Sequence, residues 1–282
     1  MKKKTIWGLC LASALVAGTA GWLWWGNRAV MVHTISVTDR HLPRAFEGFR
    51  IAQISDLHNE VFGSGNGELL TLLAGTRPDI IVITGDLIDS RRTDVSAALE
   101  FVRGAVEIAP VYYVAGNHAS SLPEEFWMLE RCMENLGVSV LRGERTLLTR
   151  EGAAIALIGV DDPTFQDKDS ANWPGIVEEE LGKLREEGLY SILLIHRPEL
   201  LETYARAGMN LVFSGHAHGG QVRIPFVGGV IAPNQGFFPQ YDGGLYAMGD
   251  TQLVVSRGLG NSVVPLRVNN RPEIVLAELH GK

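Results

Sequence analysis

The stretch Arg50-Ile51-Ala52-Gln53-Ile54-Ser55-Asp56-Leu57-His58 decides how this chain is read. A short apolar run ends on two residues that can hold a cation, one position apart. A continuous apolar run of this length reads as a strand buried on both faces. Alternate residues of an extended segment project the same way, so Asp56 and His58 can reach one point. The pattern recurs along the chain. Asp79–Thr84 runs into Gly85-Asp86, and Val111–Ala115 runs into Gly116-Asn117-His118. Ser191–Ile195 runs into His196, and Asn210–Ser214 into Gly215-His216-Ala217-His218. Ligands of open α/β sheets bind at the carboxyl ends of the strands. Five strands that deliver Asp, Asn or His at the same end therefore predict one convergent site.

Three further apolar runs, Ala154–Val160, Leu253–Ser256 and Ile274–Leu279, read as strands in the same way. Helix-period segments lie near Gly67–Ala74, Asp94–Ile108, Pro123–Leu136 and Ile176–Glu187. The order is β-α-β-α-β early and richer in strands later, which predicts a layered α/β fold with helices covering the sheets. No linker or internal repeat divides the body. The expected organisation is a leader over residues 1–28, a linker and entry segment over 29–48 and one domain over 49–282.

A chain of 282 residues with 46% hydrophobic and 20% charged residues is neither disordered nor fibrous. The two cysteines, Cys10 in the leader and Cys132 in a predicted helix, give no disulfide framework and no Cys-rich zinc module. The net charge of −7 is uneven. The first 28 residues carry +4, which leaves −11 on the remaining 254. A body this acidic excludes a large non-specific nucleic-acid surface, and no stable nucleic-acid partner is expected.

From Thr5 to Asn27 there is no charged residue. At ~1.5 Å per residue, about 20 residues cross the hydrocarbon core of a bilayer. Lys2, Lys3 and Lys4 precede the run, and Trp22, Trp24 and Trp25 gather at its far end, where indoles favour the headgroup level. This predicts a signal-anchor helix with its N-terminus in the cytosol and the body on the extracytoplasmic side. The competing reading is a signal peptide cut after Ala20, with secretion of the body. The Trp cluster favours the retained anchor.

Asp56, His58, Asp86, Asn117, His196, His216 and His218 make seven N/O donors. That is too many for one tetrahedral zinc and suits two metals that share a carboxylate. Without thiolates, the donor set favours Mn, Fe or Zn held by imidazole and carboxylate. Singly, each fragment is weak: His196 after an apolar run is more often a hydrogen-bonded core histidine. Together, each at a strand end, they point firmly to a metal centre.

The motifs Asp56-x-His58, Gly85-Asp86-x-x-Asp89, Gly116-Asn117-His118, His196 and Gly215-His216-x-His218 resemble those of the calcineurin-like metallophosphoesterases, and the likeness covers nearly all of residues 49–280. Gly215–Gln221 and Ser256–Gly260 resemble the membrane-anchored bacterial phosphodiesterases of that family, including the hydrolases of UDP-2,3-diacylglucosamine in lipid A synthesis. The resemblance implies a four-layer α/β/β/α sandwich. It implies that Asp56, His58 and His218 hold a first divalent metal, that Asn117, His196 and His216 hold a second, and that Asp86 bridges them. His118 would be the general acid, or would stabilise charge on the leaving oxygen, with Asp89 orienting it. In one respect the chain departs from the pattern: Ala119 stands where the family usually has Asp or Glu.

Two cations ~3.5–4 Å apart make hydroxide from a shared water at neutral pH, and in-line attack with a proton from His118 would open a phosphodiester or pyrophosphate bond. The substrate the resemblance suggests is lipid-linked or a nucleotide sugar of the UDP-2,3-diacylglucosamine type. The predicted topology opposes the latter, because nucleotide sugars are cytosolic, and favours a phosphodiester of the cell envelope. A catalytically silent metal-bound scaffold is the rival class, but it has no need of a non-ligating histidine such as His118. The Gly-rich segment Gly219–Gly249 carries Phe226, Phe237, Phe238 and Tyr241. These form either an apolar lip toward lipid or a packing layer beneath long loops.

Overall fold

Strands that are apolar on both faces need a cover on each side, and the chain supplies it by stacking two sheets and flanking them with helices. The structure is a computed structural model that describes residues 3–282. A helix, α1 (Lys3–Arg28), leads into β1 (Met31–Asp39) and β2 (Arg50–Ile54). There follow α2 (Gly67–Gly75), β3 (Ile80–Thr84), α3 (Val95–Val106), β4 (Val111–Val114), α4 (Pro123–Asn135) and β5 (Ser139–Val140). The second half runs β6 (Glu144–Arg150), β7 (Ala153–Gly159), α5 (Trp173–Leu184), β8 (Tyr190–Leu194), α6 (Leu201–Arg206) and β9 (Leu211–Ser214). Four two-residue strands, β10 (Arg223–Ile224), β11 (Gly228–Gly229), β12 (Ile231–Ala232) and β13 (Gly236–Phe237), pair as two small hairpins. β14 (Gly244–Met248), β15 (Thr251–Val255) and β16 (Glu273–Gly281) end the chain.

The first sheet has the order β1-β16-β2-β3-β4-β5 and the second β14-β15-β9-β8-β7-β6. β2 to β5 are parallel, as are β7, β8, β9 and β15, so the carboxyl ends of β2, β3, β4, β8 and β9 can serve one site. The pleat divides the side chains between layers. Ile81 and Ile83 pack with Leu73 of α2, Phe101 of α3 and Leu129 of α4. Their neighbours Ile80 and Val82 turn the other way, onto Ile192, Leu194 and Phe213 of the second sheet. Leu193 and Val212 lie beyond, against Val177 and Leu181 of α5 and Tyr204 of α6. This is the expected four-layer α/β/β/α sandwich. A buried polar tie joins the sheets near the site: the Gln53 amide donates to Thr84 Oγ1 at 2.9 Å and to the Ser214 carbonyl at 2.8 Å.

One expectation changes. Residues 29–48 do not form a linker alone, because Met31–Asp39 pairs in parallel with the whole of β16 at the edge of the first sheet. Its side chains alternate between exposed and covered along most of its length, the habit of a strand with one wet face. α1 packs no residue of its apolar window Leu9–Arg28 in the core, as a membrane span would require, and it is the sole helix among the described residues with that length and hydropathy. Its last residues touch the body: Asn27 and Arg267 exchange two hydrogen bonds, of 3.0 and 2.8 Å.

Candidate metal centre

The strands that reach the site turn sharply as they end. Asp56, His58, Asp86, His216 and His218 all have positive φ, between 47° and 66°. Asp and His enter this left-handed region more readily than most residues, so the ligand types are also the types the turns tolerate. The turns bring backbone against side chain. A Cβ at Gly116 would strike the Asp86 carboxylate, and one at Gly215 would strike Ser55 Oγ and Asp56 Oδ2. Only glycine fits at either place.

The turns gather two clusters. Asp56, His58 and His218 place their ligand atoms within 4.8 Å of one another, and so do Asp86, His196 and His216. In the first cluster, His58 Nε2 and His218 Nε2 are 3.2 Å apart, and His218 Nε2 is 3.4 Å from Asp56 Oδ1. In the second, His196 Nε2 is 3.1 Å from Asp86 Oδ2. Asp86 Oδ2 also lies 3.9 Å from His58 Nε2, so this carboxylate stands between the clusters. Asn117 follows β4, and the next amide, that of His118, donates to Asp86 Oδ1 at 3.0 Å.

Hydrogen bonds fix the orientation of these groups. His196 Nδ1 donates to the Thr84 carbonyl at 2.7 Å, which aims Nε2 at Asp86. Ser55 Oγ donates to Asp56 Oδ2 at 2.6 Å, and the His216 amide donates to the same carboxylate. His216 Nε2 is engaged by Asn234 at 3.0 Å, so Nδ1 is the nitrogen left for a ligand.

Charge is strongly perturbed here. Burial pushes His58 and His216 well below the ordinary imidazole range and His218 below it, with Arg197 adding to the effect at His216 and Arg267 at His218. Burial also works against a charged His196, but the carboxylates of Asp86, Asp56 and Asp162 outweigh it and push the ring up to about 10. Asp86 is held well below the carboxylate range: burial opposes its charge, and His196, His118 and His58 overcome that.

The donor set fits a pair of divalent cations. Two nitrogens that each stand ~2 Å from one cation lie about 3 Å apart, as His58 and His218 do. Asn117 Oδ1 is buried with no hydrogen-bond partner, which is costly unless something else occupies its lone pairs. Three neutral-leaning imidazoles suit metal ligation, which needs the deprotonated ring. Six of the residues read as ligands from the sequence are thus gathered in two adjoining clusters, and Asn117 directly precedes the amide that bonds Asp86.

Two expectations about the surroundings change. Asp89 does not stand closest to His118. Its Oδ2 is 3.8 Å from His118 Nδ1 but 3.4 Å from His58 Nδ1. His118 is instead held by Ser90, whose main-chain amide donates to Nδ1 at 2.9 Å. A nitrogen that accepts cannot carry the proton of a neutral ring, so the proton sits on Nε2, 4.0 Å from Asp86 Oδ2. Ala119 is buried among core residues, in line with its lack of a charge. Arg197 was not legible as part of the site either. It is buried, paired with Asp162 at 2.7 Å, stacked 3.8 Å over Trp173 and within 3.3 Å of His216 Nε2. Its position directly after His196 was the only hint. The segment after His218 places Phe226, Phe237 and Phe238 in solvent and buries Tyr241, so the phenylalanines are not a packing layer beneath the loops.

A family model described as calcineurin-like phosphoesterase matches residues 49–220. The metallophosphoesterase YkuE of Bacillus subtilis (strain 168) is 32% identical over 286 residues, covering 98% of this chain and 95% of its own. The phosphodiesterase YaeI of Escherichia coli (strain K12) is 28% identical, covering 82% of each chain. A transmembrane protein with metallophosphoesterase domain from Danio rerio is 28% identical, covering 85% of this chain and 55% of its own.

Proposed function

We infer the reaction from the family to which this chain belongs, the calcineurin-like phosphoesterases, which makes it a metal-dependent phosphoesterase. The bond it opens is a phosphodiester or a pyrophosphate. Asp56, His58 and His218 would hold one cation and Asn117, His196 and His216 the other, with Asp86 placed to serve both. The chemistry that divalent cations supply in such a pair of sites is charge neutralisation on phosphate oxygens and activation of water.

The chain's own residues do the rest. His118 stands beside both clusters with its proton on Nε2, and it donates that proton to the departing oxygen. Its amide, bonded to Asp86 Oδ1, keeps the ring in register with the carboxylate between the clusters. The buried Arg197 guanidinium, fixed by Asp162 and Trp173, keeps positive charge beside His216 and anchors that side of the site.

The substrate carries a lipid. The exposed Phe226, Phe237 and Phe238 and the apolar helix α1 support this reading, since apolar surface left in water is what a lipid would cover. A lipid-linked pyrophosphate of the UDP-2,3-diacylglucosamine type is one member of that class, and an envelope phosphodiester is the other. α1 is retained as an anchor, with the domain on the extracytoplasmic side.

The observation that carries the phosphoesterase reading is the pair of Asp/His clusters on either side of Asp86 with His118 beside them, and the likeness to a phosphodiesterase supports the diester as its substrate. The test is hydrolysis of bis-p-nitrophenyl phosphate by the full chain in detergent, stripped of metal and titrated with Mn²⁺, beside p-nitrophenyl phosphate. Metal-dependent cleavage of the diester ahead of the monoester, abolished by Asp86→Asn together with loss of one bound metal, is the expected result. Cleavage of the monoester alone would overturn it.

A further inference from the structure

The last turns of α1 and the segment Arg257–Arg271 enclose a cavity of about 230 Å³. Trp22 and Trp25 line it from the helix side, and Arg257, Arg267, Asn269 and Arg271 line it from the body. No acidic residue contributes to its wall. The three arginines differ in how far their charge is spent. Arg267 is fully engaged: it donates to Asn261 Oδ1 at 3.1 Å, to the Arg257 carbonyl at 2.7 Å and to the Gly260 carbonyl at 2.6 Å. Arg271 bonds only the carbonyls of Ala29 and Val30, at 2.8 and 3.2 Å, and lies 4.7 Å from the centre of the Trp25 ring. It makes no ion pair with any described carboxylate. Arg257 is paired through Nε with Glu273 at 3.5 Å, a carboxylate outside the cavity wall.

Three arginines line a wall with no acid, and Arg271 among them has no carboxylate partner among the described residues, which calls for an anion. Depth decides which anion. Trp22, Trp24 and Trp25 mark the end of the apolar span, and indoles settle at the headgroup level of a bilayer. The cavity therefore opens at the height where lipid phosphates lie, and Arg271 reaches that height while stacked on one of the marker indoles.

We propose that this cavity is a binding site for the phosphate headgroup of an anionic phospholipid. Arg257 and Arg271 bind the phosphate oxygens, Asn269 adds a polar contact, and the indoles of Trp22 and Trp25 flank the glycerol. The site is separate from the metal centre, although Arg267 and Asn270, which share its wall, also hold His218. It rests on reading α1 as a membrane span. An occupied site ties the helix end to the body at the bilayer surface.

The test uses the full chain in detergent with equal amounts of phosphatidylglycerol and phosphatidylcholine, and counts the lipids retained by native mass spectrometry. One phosphatidylglycerol retained per chain, at least about tenfold over phosphatidylcholine, is expected, and Arg271→Gln should lower that preference about tenfold. Asn269→Asp should do the same by placing a negative charge in the wall, while leaving the helix contacts of Arg271 in place. Both variants should keep hydrolysis of a soluble diester, which shows that they fold. Equal retention of the two lipids, or a preference untouched by both variants, overturns the proposal. So does complete displacement of the lipid by inorganic phosphate, which would mark a site for the free anion. Extraction of the chain from its membrane by alkaline carbonate reports on the anchor separately. Release there overturns the span itself, whereas a chain that stays in the membrane without headgroup preference overturns only this site.

Discussion

The main-chain amide of Ser90 donates to His118 Nδ1 at 2.9 Å, and this one bond decides which nitrogen of the ring faces the metal clusters with a proton. A general acid matters in proportion to how badly its leaving group needs a proton. His118→Ala should therefore lose about 10²–10⁴-fold in turnover of an alkyl phosphodiester and far less with a nitrophenyl leaving group. Ser90→Ala keeps the amide and should change either rate only slightly. Rates for the two substrates in the two variants check this, and an equal loss on both substrates would mean that His118 acts by binding rather than by proton donation.

Gly116 fits against Asp86 because it has no side chain. In Gly116→Ala the new methyl must displace the carboxylate that stands between the clusters, or move the β4 turn that carries Asn117. Metal affinity should fall about 10–100-fold, as when the supports of a ligand are disturbed. Stability should fall by about 1–3 kcal/mol from overpacking. Metal titration and chemical unfolding report the two losses independently, and unchanged affinity would show that the Asp86 position is slack.

The metal-free protein should be most stable near pH 6.5. His58, His216 and His218 lie below their ordinary value of 6.5 in the folded chain, so on acidification the unfolded chain takes up protons that the folded chain refuses. Their contribution is present above 6.5 and is lost as the pH falls below it. His196 is shifted the other way, to about 10. Its contribution is complete below 6.5 and is lost as the pH climbs toward 10. Urea unfolding of chelated protein across this range checks the maximum. Because a ligand imidazole must be neutral, loading with Mn²⁺ at pH 7.5 should also release about one proton per chain, read by calorimetry in two buffers of different ionisation heat.

What was legible in the sequence was whatever could be written in a contiguous run. β2, β3, β4, β8 and β9 are apolar on both faces and end in their own ligands, so strand, position and chemistry were read together. β1 and β6 were missed because one wet face breaks the apolar run, and β1 also follows the leader, where a linker is the natural expectation. The second layer of the site was hidden for another reason. The bond that orients His118 comes from a backbone amide, which every residue except proline possesses, and it joins positions 28 apart. Arg197 and Asp162 pair across 35 residues, and nothing local in either marks the partner. Asp89 matched a motif and invited a role beside His118, but the same turn that presents its carboxylate to His58 presents the next residue's amide to His118.

Phe237 and Phe238 stand in solvent on a hairpin just beyond the last ligand, and exposing two aromatic rings in water is a cost that folding alone does not require. If they seat the lipid portion of the substrate, the double variant Phe237→Ser/Phe238→Ser should lose about tenfold or more in turnover of a lipid-linked diester presented in vesicles. Hydrolysis of bis-p-nitrophenyl phosphate should stay within about twofold of the parent, because neither ring touches the ligands. The size of the first loss follows from the apolar area involved: burying one phenylalanine side chain is worth about 1.5–3 kcal/mol, a factor of ten or more. Equal losses on both substrates would show instead that the hairpin shapes the metal centre, and it would then be a structural edge rather than a lipid contact.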